Sequence, residues 1–323
     1  MREITYAEAF AEALREILRA DKRVCVIGGY FFGLSPRRAL ISQLRKQFPA
    51  RFFDPPIAEA GYCGLAVGAA MAGLRPIVDI GTGSFFFQAF PQVLNEAANT
   101  YYMTGGQTKV PAVFHMLHGI RGGGAAQHSH SPQAMLWNTP GLEIMLPASP
   151  RDVKGLLKTA VLSDNPTVFV DHAKLFEVRG EVPDGDYAIP FGQAEVKRSG
   201  KDVTVVATSL MVVRALEAAE ELAKKGIEVE VVDPRTLVPL DKKTILASVA
   251  KTGRLVVVDE CHRSCGVASE LVAIVAEEGF DALKAPVKRV TTLDVPVPFS
   301  RPMEAYIEPS REKIITAVLE VVK

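Results

Sequence analysis

Short runs of β-branched and other apolar residues recur along this chain, and stretches with helical patterning separate them. Val24-Cys25-Val26-Ile27, Pro76-Ile77-Val78-Asp79-Ile80, Val110-Pro111-Ala112-Val113-Phe114-His115, Ile144-Met145-Leu146 and Thr167-Val168-Phe169-Val170 read as strands. Thr5 followed by Glu8 predicts a capping box, and Phe10, Leu14, Ile17 and Leu18 then recur at helical spacing. A second helix is expected from Phe87 to Met103. A third should begin at Ser149-Pro150-Arg151-Asp152, with a capping Ser, Pro at the first helical position and an acid in the first turn. Strands alternating with helices in this way form a parallel sheet covered by helices on both faces, so the fold class is α/β.

The pattern repeats after a stretch rich in Pro, Gly and acids from Arg179 to Pro190, which reads as a linker. Strands are expected at Val203–Ala207, Val229–Val232 and Leu255–Val258, with helices near Met211–Lys225, Asp241–Lys251, Ala268–Glu278 and Ser310–Val322. A chain of 323 residues is long enough for two domains. The expected division is a first α/β domain over 1–185, a linker over 186–198 and a second α/β domain over 199–323.

Charge and composition narrow the function classes. Lys plus Arg and Asp plus Glu both number 37, so no basic surplus points to nucleic acid. The N-terminal residues carry acids and no apolar core, unlike a signal peptide. The longest apolar run, Ala60 to Leu74, is broken by Gly and falls short of the roughly 20 residues that span a bilayer. Cysteines at 25, 63, 261 and 265 do not form a disulfide framework, which favours a reducing cytoplasm.

Glu59 stands at the mouth of a run of tiny and apolar residues, Ala60-Gly61-Tyr62-Cys63-Gly64-Leu65-Ala66-Val67-Gly68-Ala69-Ala70, and the next acid is Asp79. Gly64 and Gly68 leave one helix face nearly smooth, suited to close packing. Glu59 reads in two ways. It is a first-turn acid complementing the helix dipole, worth about 0.3–1 kcal/mol, or a functional carboxylate held against a cationic or protonated group. Gly119-Ile120-Arg121-Gly122-Gly123-Gly124-Ala125-Ala126-Gln127-His128-Ser129-His130 is a Gly-rich loop that presents imidazoles suited to proton transfer. With His115 and His118, four of the six histidines fall within sixteen residues. His-x-His lacks further ligands to complete a metal set. Gly81-Thr82-Gly83-Ser84-Phe85-Phe86 has Phe where a dinucleotide fingerprint needs its third Gly. Cys261-His262-Arg263-Ser264-Cys265 has neither a metal nor a redox spacing.

These residues, read together, resemble a family. Phe53-Asp54-Pro55-Pro56-Ile57-Ala58-Glu59-Ala60-Gly61, Gly73-Leu74-Arg75-Pro76, Asn95-Glu96-Ala97-Ala98, Tyr102-Met103-Thr104-Gly105-Gly106, Gln127-His128-Ser129, Pro140-Gly141-Leu142, Asp233-Pro234-Arg235-Thr236-Leu237-Val238-Pro239 and Pro296-Val297-Pro298-Phe299-Ser300 stand in the order found in it. The chain resembles the beta subunit of the thiamine-diphosphate-dependent 2-oxo acid dehydrogenases, which serve pyruvate, branched-chain and acetoin dehydrogenase complexes and share the transketolase-like architecture. The resemblance covers nearly the whole chain. It implies an N-terminal pyrimidine-binding domain and a C-terminal domain like that of transketolase.

The resemblance also implies roles. Glu59 would contact the pyrimidine N1′ of thiamine diphosphate, favouring the imino tautomer whose nitrogen takes the thiazolium C2 proton. Phe85 would pack on the cofactor with Ile57 and Gln88 nearby, and His128 would face substrate and the incoming lipoyl group. A structural potassium ion, common in the family, would match main-chain oxygens of Ala112, Ala160, Val161, Ser163 and Asn165. The Gly-Asp-Gly and Asn that hold the diphosphate and Mg²⁺ do not occur in this chain as a motif. In the family they lie on an alpha subunit, so half a site completed in an α2β2 heterotetramer is expected, with a lipoyl acyltransferase as the next partner and a 2-oxo acid as substrate. Two departures stand out. Gly28-Gly29-Tyr30 replaces the usual Gly-Glu-Asp or Gly-Glu-Glu, and Gln88 replaces a frequent acid; Gly33 to Arg51 also departs from the usual Gly-rich segment. A split ketol-transferring transketolase subunit and a non-catalytic beta-like scaffold are the other readings.

Overall fold

Thr5 ends one element and starts the next. Strand β1 (Arg2–Thr5) runs into helix α1 (Tyr6–Ala20). The Glu8 amide donates to the Thr5 hydroxyl at 3.2 Å, and the Thr5 amide donates to the Glu8 carboxylate at 2.7 Å. The expected capping box is therefore formed, and α1 buries Phe10, Leu14, Ile17 and Leu18. A computed structural model of the chain describes residues 1–29 and 36–323. Tyr30 of the departing Gly28-Gly29-Tyr30 segment and the start of Gly33–Arg51 lie outside the described residues. The chain divides into two compact units, Met1–His118 with Met135–Phe191, and Gly119–Ala134 with Gly192–Lys323.

The first unit continues with β2 (Val24–Ile27), α2 (Arg38–Gln47), β3 (Phe52–Phe53), α3 (Glu59–Met71), β4 (Arg75–Thr82), α4 (Ala98–Met103) and β5 (Val113–Leu117). It resumes at Met135, within α5 (Gln133–Trp137), and continues with β6 (Glu143–Met145), α6 (Pro150–Leu162), β7 (Thr167–Asp171) and β8 (Arg179–Val182). The strands lie in the order β6-β7-β5-β4-β2-β3, and every pair is parallel. All residues of β2, β5 and β7 are buried, as a sheet covered on both faces requires. At α6 the Ser149 hydroxyl accepts from the Asp152 amide at 3.1 Å, the cap that the sequence announced.

Two stretches differ from expectation. Phe87 to Met103 is not one α-helix. Residues Phe85–Ala89 make a 3₁₀ turn and Pro91–Ala97 a π-helix before α4 begins. Pro91 has no N–H to continue a regular ladder, so the winding changes there. Arg179 to Pro190 is also not a free linker. β8 pairs antiparallel with β1, Arg2 opposite Val182 and Thr5 opposite Arg179. The Ile189 amide donates to the Gly155 carbonyl at 3.2 Å. A Cβ on Gly155 would stand 2.5 Å from Ile189 Cγ1, so only glycine lets this segment lie on α6.

In the second unit, β9 (Glu195–Arg198) lies inside the stretch expected as linker. It is followed by β10 (Val203–Ala207), α7 (Leu210–Ala223), β11 (Val229–Asp233), β12 (Thr236–Val238), α8 (Lys242–Thr252), β13 (Leu255–His262), α9 (Val267–Glu278), β14 (Lys288–Thr292), α10 (Arg301–Ile307) and α11 (Arg311–Val322). The sheet order is β14-β13-β10-β11-β9, parallel except for β9 against β11. This antiparallel edge strand has no buried residue: Glu195, Lys197 and Arg198 are half-buried and Val196 is exposed.

Candidate functional site

In the first sheet β2 has β3 on one side and β4 on the other. The chain therefore reverses direction of travel at β2, and the carboxyl ends of its neighbours flank a crevice of the kind where open α/β sheets bind ligands. The connection after β3 carries Ile57 and leads into Glu59, the first residue of α3. The turn after β4 carries Phe85 and Gln88. α3 packs against that turn. The four residues expected at the cofactor thus lie on two connections at the same end of one sheet.

Their exposures differ. Glu59 is half-buried and Ala58 before it supplies no side-chain cap to the helix. Ile57 is 90 % exposed, Phe85 is half-buried and Gln88 exposed. An exposed aliphatic side chain beside a half-buried carboxylate leaves apolar surface and a hydrogen-bond acceptor for the same partner. Burial, and after it the charge of Glu59, pushes both the Tyr62 hydroxyl and the Cys63 thiol well above their ordinary pKa values. Both therefore stay protonated.

The histidines separate. His115 is buried on β5 and His118 is buried just after it, in the first unit. His128 and His130 belong to the Gly-rich segment that groups with the second unit. His128 closes a 3₁₀ turn, Ala126–His128, and is exposed. The Arg121 guanidinium donates to the His128 carbonyl at 3.0 Å, bending the loop back on itself. His130 is half-buried, and burial followed by the neighbouring His262 lowers its pKa.

At the positions expected for potassium the chain places its own cation. The Arg75 guanidinium donates to the Val161 carbonyl at 2.8 Å and the Ser163 carbonyl at 2.7 Å, and pairs with Asp164 at 2.7 Å. Lys109 reaches the other Asp164 oxygen at 2.6 Å. The Ala112 carbonyl accepts the Thr167 amide at 2.9 Å. Three of the five oxygens are thus engaged by protein donors, and Arg75 supplies positive charge where α6 ends, the end of a helix that favours it. A potassium ion on these oxygens would have to share the Val161 and Ser163 carbonyls with Arg75.

Sequence reading missed a buried ionic centre beneath the same sheet end. Arg37, wholly buried, pairs with Asp171 at 2.6 Å. His115 bridges Asp171 at 3.1 Å and Asp79 at 3.3 Å through its two ring nitrogens. The Arg37 guanidinium lies 4.4 Å from the Phe10 ring centre and 3.8 Å from that of Phe176. Burial works against the Asp171 charge, but Arg37 and His115 outweigh it and hold the carboxyl well below the usual range. No motif announces this set, because its members come from four separate segments.

Known proteins match over this whole arrangement. The transketolase pyrimidine-binding domain matches residues 2–177, and the transketolase C-terminal domain matches residues 192–314. The chain is 43% identical over 320 residues to the pyruvate dehydrogenase E1 component subunit beta of Rickettsia felis, covering 99% of this chain and 98% of that one. It is 39% identical over 336 residues to the acetoin:2,6-dichlorophenolindophenol oxidoreductase subunit beta of Bacillus subtilis, covering 99% and 97%. Among solved structures it is similar to one described as a split gene transketolase, inactive beta4 tetramer, with a TM-score of 0.81, 26% identity and coverage of 99% and 98%. With both domains matched and identity sustained end to end, the chain belongs to the transketolase-like family of 2-oxo acid dehydrogenase beta subunits, alongside the pyruvate dehydrogenase E1 and acetoin oxidoreductase beta subunits.

Proposed function

We propose that this chain is the beta half of a thiamine-diphosphate-dependent enzyme that oxidatively decarboxylates a 2-oxo acid and hands the acyl group to a lipoyl domain. The observation that carries the reading is the placement of Glu59 with Ile57, Phe85 and Gln88 at the carboxyl end of the first sheet. Bound thiamine diphosphate would supply the carbanion chemistry that amino-acid side chains lack. Glu59 would hold a proton shared with the pyrimidine ring, and its hydrogen bond strengthens as the ring becomes charged. Ile57 and Phe85 would exclude water and fix the ring plane, and Gln88 would line the same wall. His128, exposed on its loop, would orient substrate and move a proton near neutral pH.

The chain offers Glu59 and the apolar surface of Ile57 and Phe85 for the pyrimidine. The Gly-Asp-Gly and Asn motif that would hold the diphosphate and Mg²⁺ does not occur in it, so these are assigned to an alpha subunit, in an α2β2 assembly. α3 presents Leu65, Gly68 and Met71 on its exposed side, a close-packing face for that partner. Four free thiols, three of them buried, fit a reducing cytoplasm. No helix among the described residues is long and apolar enough to cross a membrane. A potassium ion on the main-chain oxygens of Ala112, Ala160, Val161, Ser163 and Asn165 would lie beside the Arg75 guanidinium and share two carbonyls with it.

Replacing Glu59 by Gln, in the chain co-expressed with its alpha partner, tests the reading. Turnover that depends on thiamine diphosphate should fall by about 10²- to 10⁴-fold, with the heterotetramer intact by native mass spectrometry. Unchanged turnover would remove Glu59 from the chemistry.

A further inference from the structure

The loop that carries His128 is held by buried acids of the second unit. Glu304, on α10, is buried, and the Gly123 amide donates to its carboxylate, 2.9 Å from each oxygen. Glu260, on β13, is also buried, and the Ile120 amide donates to it at 3.0 Å. The thiol of Cys261 donates to the Ser131 carbonyl at 3.2 Å. Ile120 packs with Val297 and Ile307 in a small apolar cluster. Between these anchors the arc is closed internally, by Arg121 on the His128 carbonyl and by the Gly119 amide on the His130 carbonyl at 3.4 Å.

Burying a carboxylate is costly unless hydrogen bonds compensate it. Here two such groups from separate elements, a strand and a helix, each reach a backbone amide of one Gly-rich loop. Gly123 sits at φ +78°, so the amide that meets Glu304 is presented by a backbone conformation that side-chained residues rarely adopt. A loop with three consecutive glycines has little stiffness of its own. Its geometry must be imposed from outside, and these carboxylates are placed to impose it.

We propose that Glu304 and Glu260 are positioning residues for His128: the C-terminal unit sets where the histidine stands by gripping the backbone on its N-terminal side. The inference rests on the reading above in which His128 works on the substrate. Neither acid touches cofactor or substrate in this account. Their effect passes through the loop.

Hydrogen exchange and steady-state kinetics on the assembled enzyme, chain plus co-purified partner, test it. Glu304→Ala should speed exchange of the 119–131 amides by roughly 10- to 100-fold, the loss of a hydrogen bond to a charged group, and leave β10 and β13 amides as in the parent. It should lower kcat, and Glu304→Gln, which keeps one acceptor oxygen, should recover part of the loss. In a His128→Ala background Glu304→Ala should lower kcat no further, since residues acting through one another are non-additive. Unchanged loop exchange would overturn the proposal, and so would equal falls in kcat with and without His128. Should Glu304→Ala not assemble, Glu260→Ala is measured by the same criteria, with Glu260→Gln as its partial rescue. A parent enzyme without thiamine-dependent turnover would defeat the functional reading instead, and the exchange measurement would still decide whether the acids grip the loop.

Discussion

The first unit buries its charges against one another, whereas the second lends them to a loop. Around β5 and β7, Arg37, Asp171, His115 and Asp79 satisfy each other side chain to side chain, and all four are buried. In the second unit, Glu260 and Glu304 are buried as well but bind amides of a Gly-rich segment. A closed ionic set of the first kind gains nothing for a ligand. It holds strands and α1 in one register and is costly to break. An acid bound to loop backbone contributes less to the fold, and its value lies in where the loop ends up. Equal burial thus serves two different ends, told apart by whether the partner is a side chain or the main chain of a loop.

Breaking the closed set should have the largest effect. Arg37→Met leaves Asp171 buried without its strongest partner, and the first unit should lose about 3–5 kcal/mol, read as faster exchange of β5 and β7 amides. A loss below about 1 kcal/mol would mean that the set is no more integral than the loop anchors. pH sharpens the same contrast. The Asp171 carboxyl titrates below its unfolded value near 3.9, so its stabilisation is complete above that pH and is lost as pH falls through and below about 4. Acid titration of unfolding should show this loss in the parent and a flatter profile in Asp171→Asn.

Arg75 comes next. Arg75→Ala frees the Val161 and Ser163 carbonyls, and should cost roughly 1.5–3 kcal/mol. The variant should also gain a stabilisation by potassium over sodium that the parent lacks, measured as a shift in melting temperature. A parent already stabilised selectively by potassium would show that arginine and ion share the site. The smallest effect belongs to exposed pairs such as Lys242 with Glu278: Lys242→Ala should leave the denaturation midpoint within error of the parent.

Much of the first sheet was legible before any coordinates. Thr5 and Glu8, or Ser149 with Pro150 and Asp152, declare helix starts through contacts three residues apart, and buried parallel strands declare themselves as unbroken apolar runs. Glu59 stood out because nothing charged surrounds it. Elements whose reason lies elsewhere in the chain were not legible. β8 is a strand only because β1 lies beside it, and β9 only because β11 does. Four histidines cluster within sixteen residues of sequence, yet β5 draws His115 into a sheet while Glu260 and Glu304 go with the loop of His128.

The amino-acid sequence by itself therefore determined the α/β class, the two matched domains, most helix starts and the isolated position of Glu59 in an apolar run. These depend on periodicity, capping and the identity of neighbouring residues, all local along the chain. Only the tertiary structure decided that Arg37 and Asp171 meet, that Arg75 donates to two of the carbonyls foreseen for an ion, and that two distant acids bind the histidine loop. Each of those joins residues tens to well over a hundred positions apart, where the cost of closing the chain is met by the whole core and leaves no local signature.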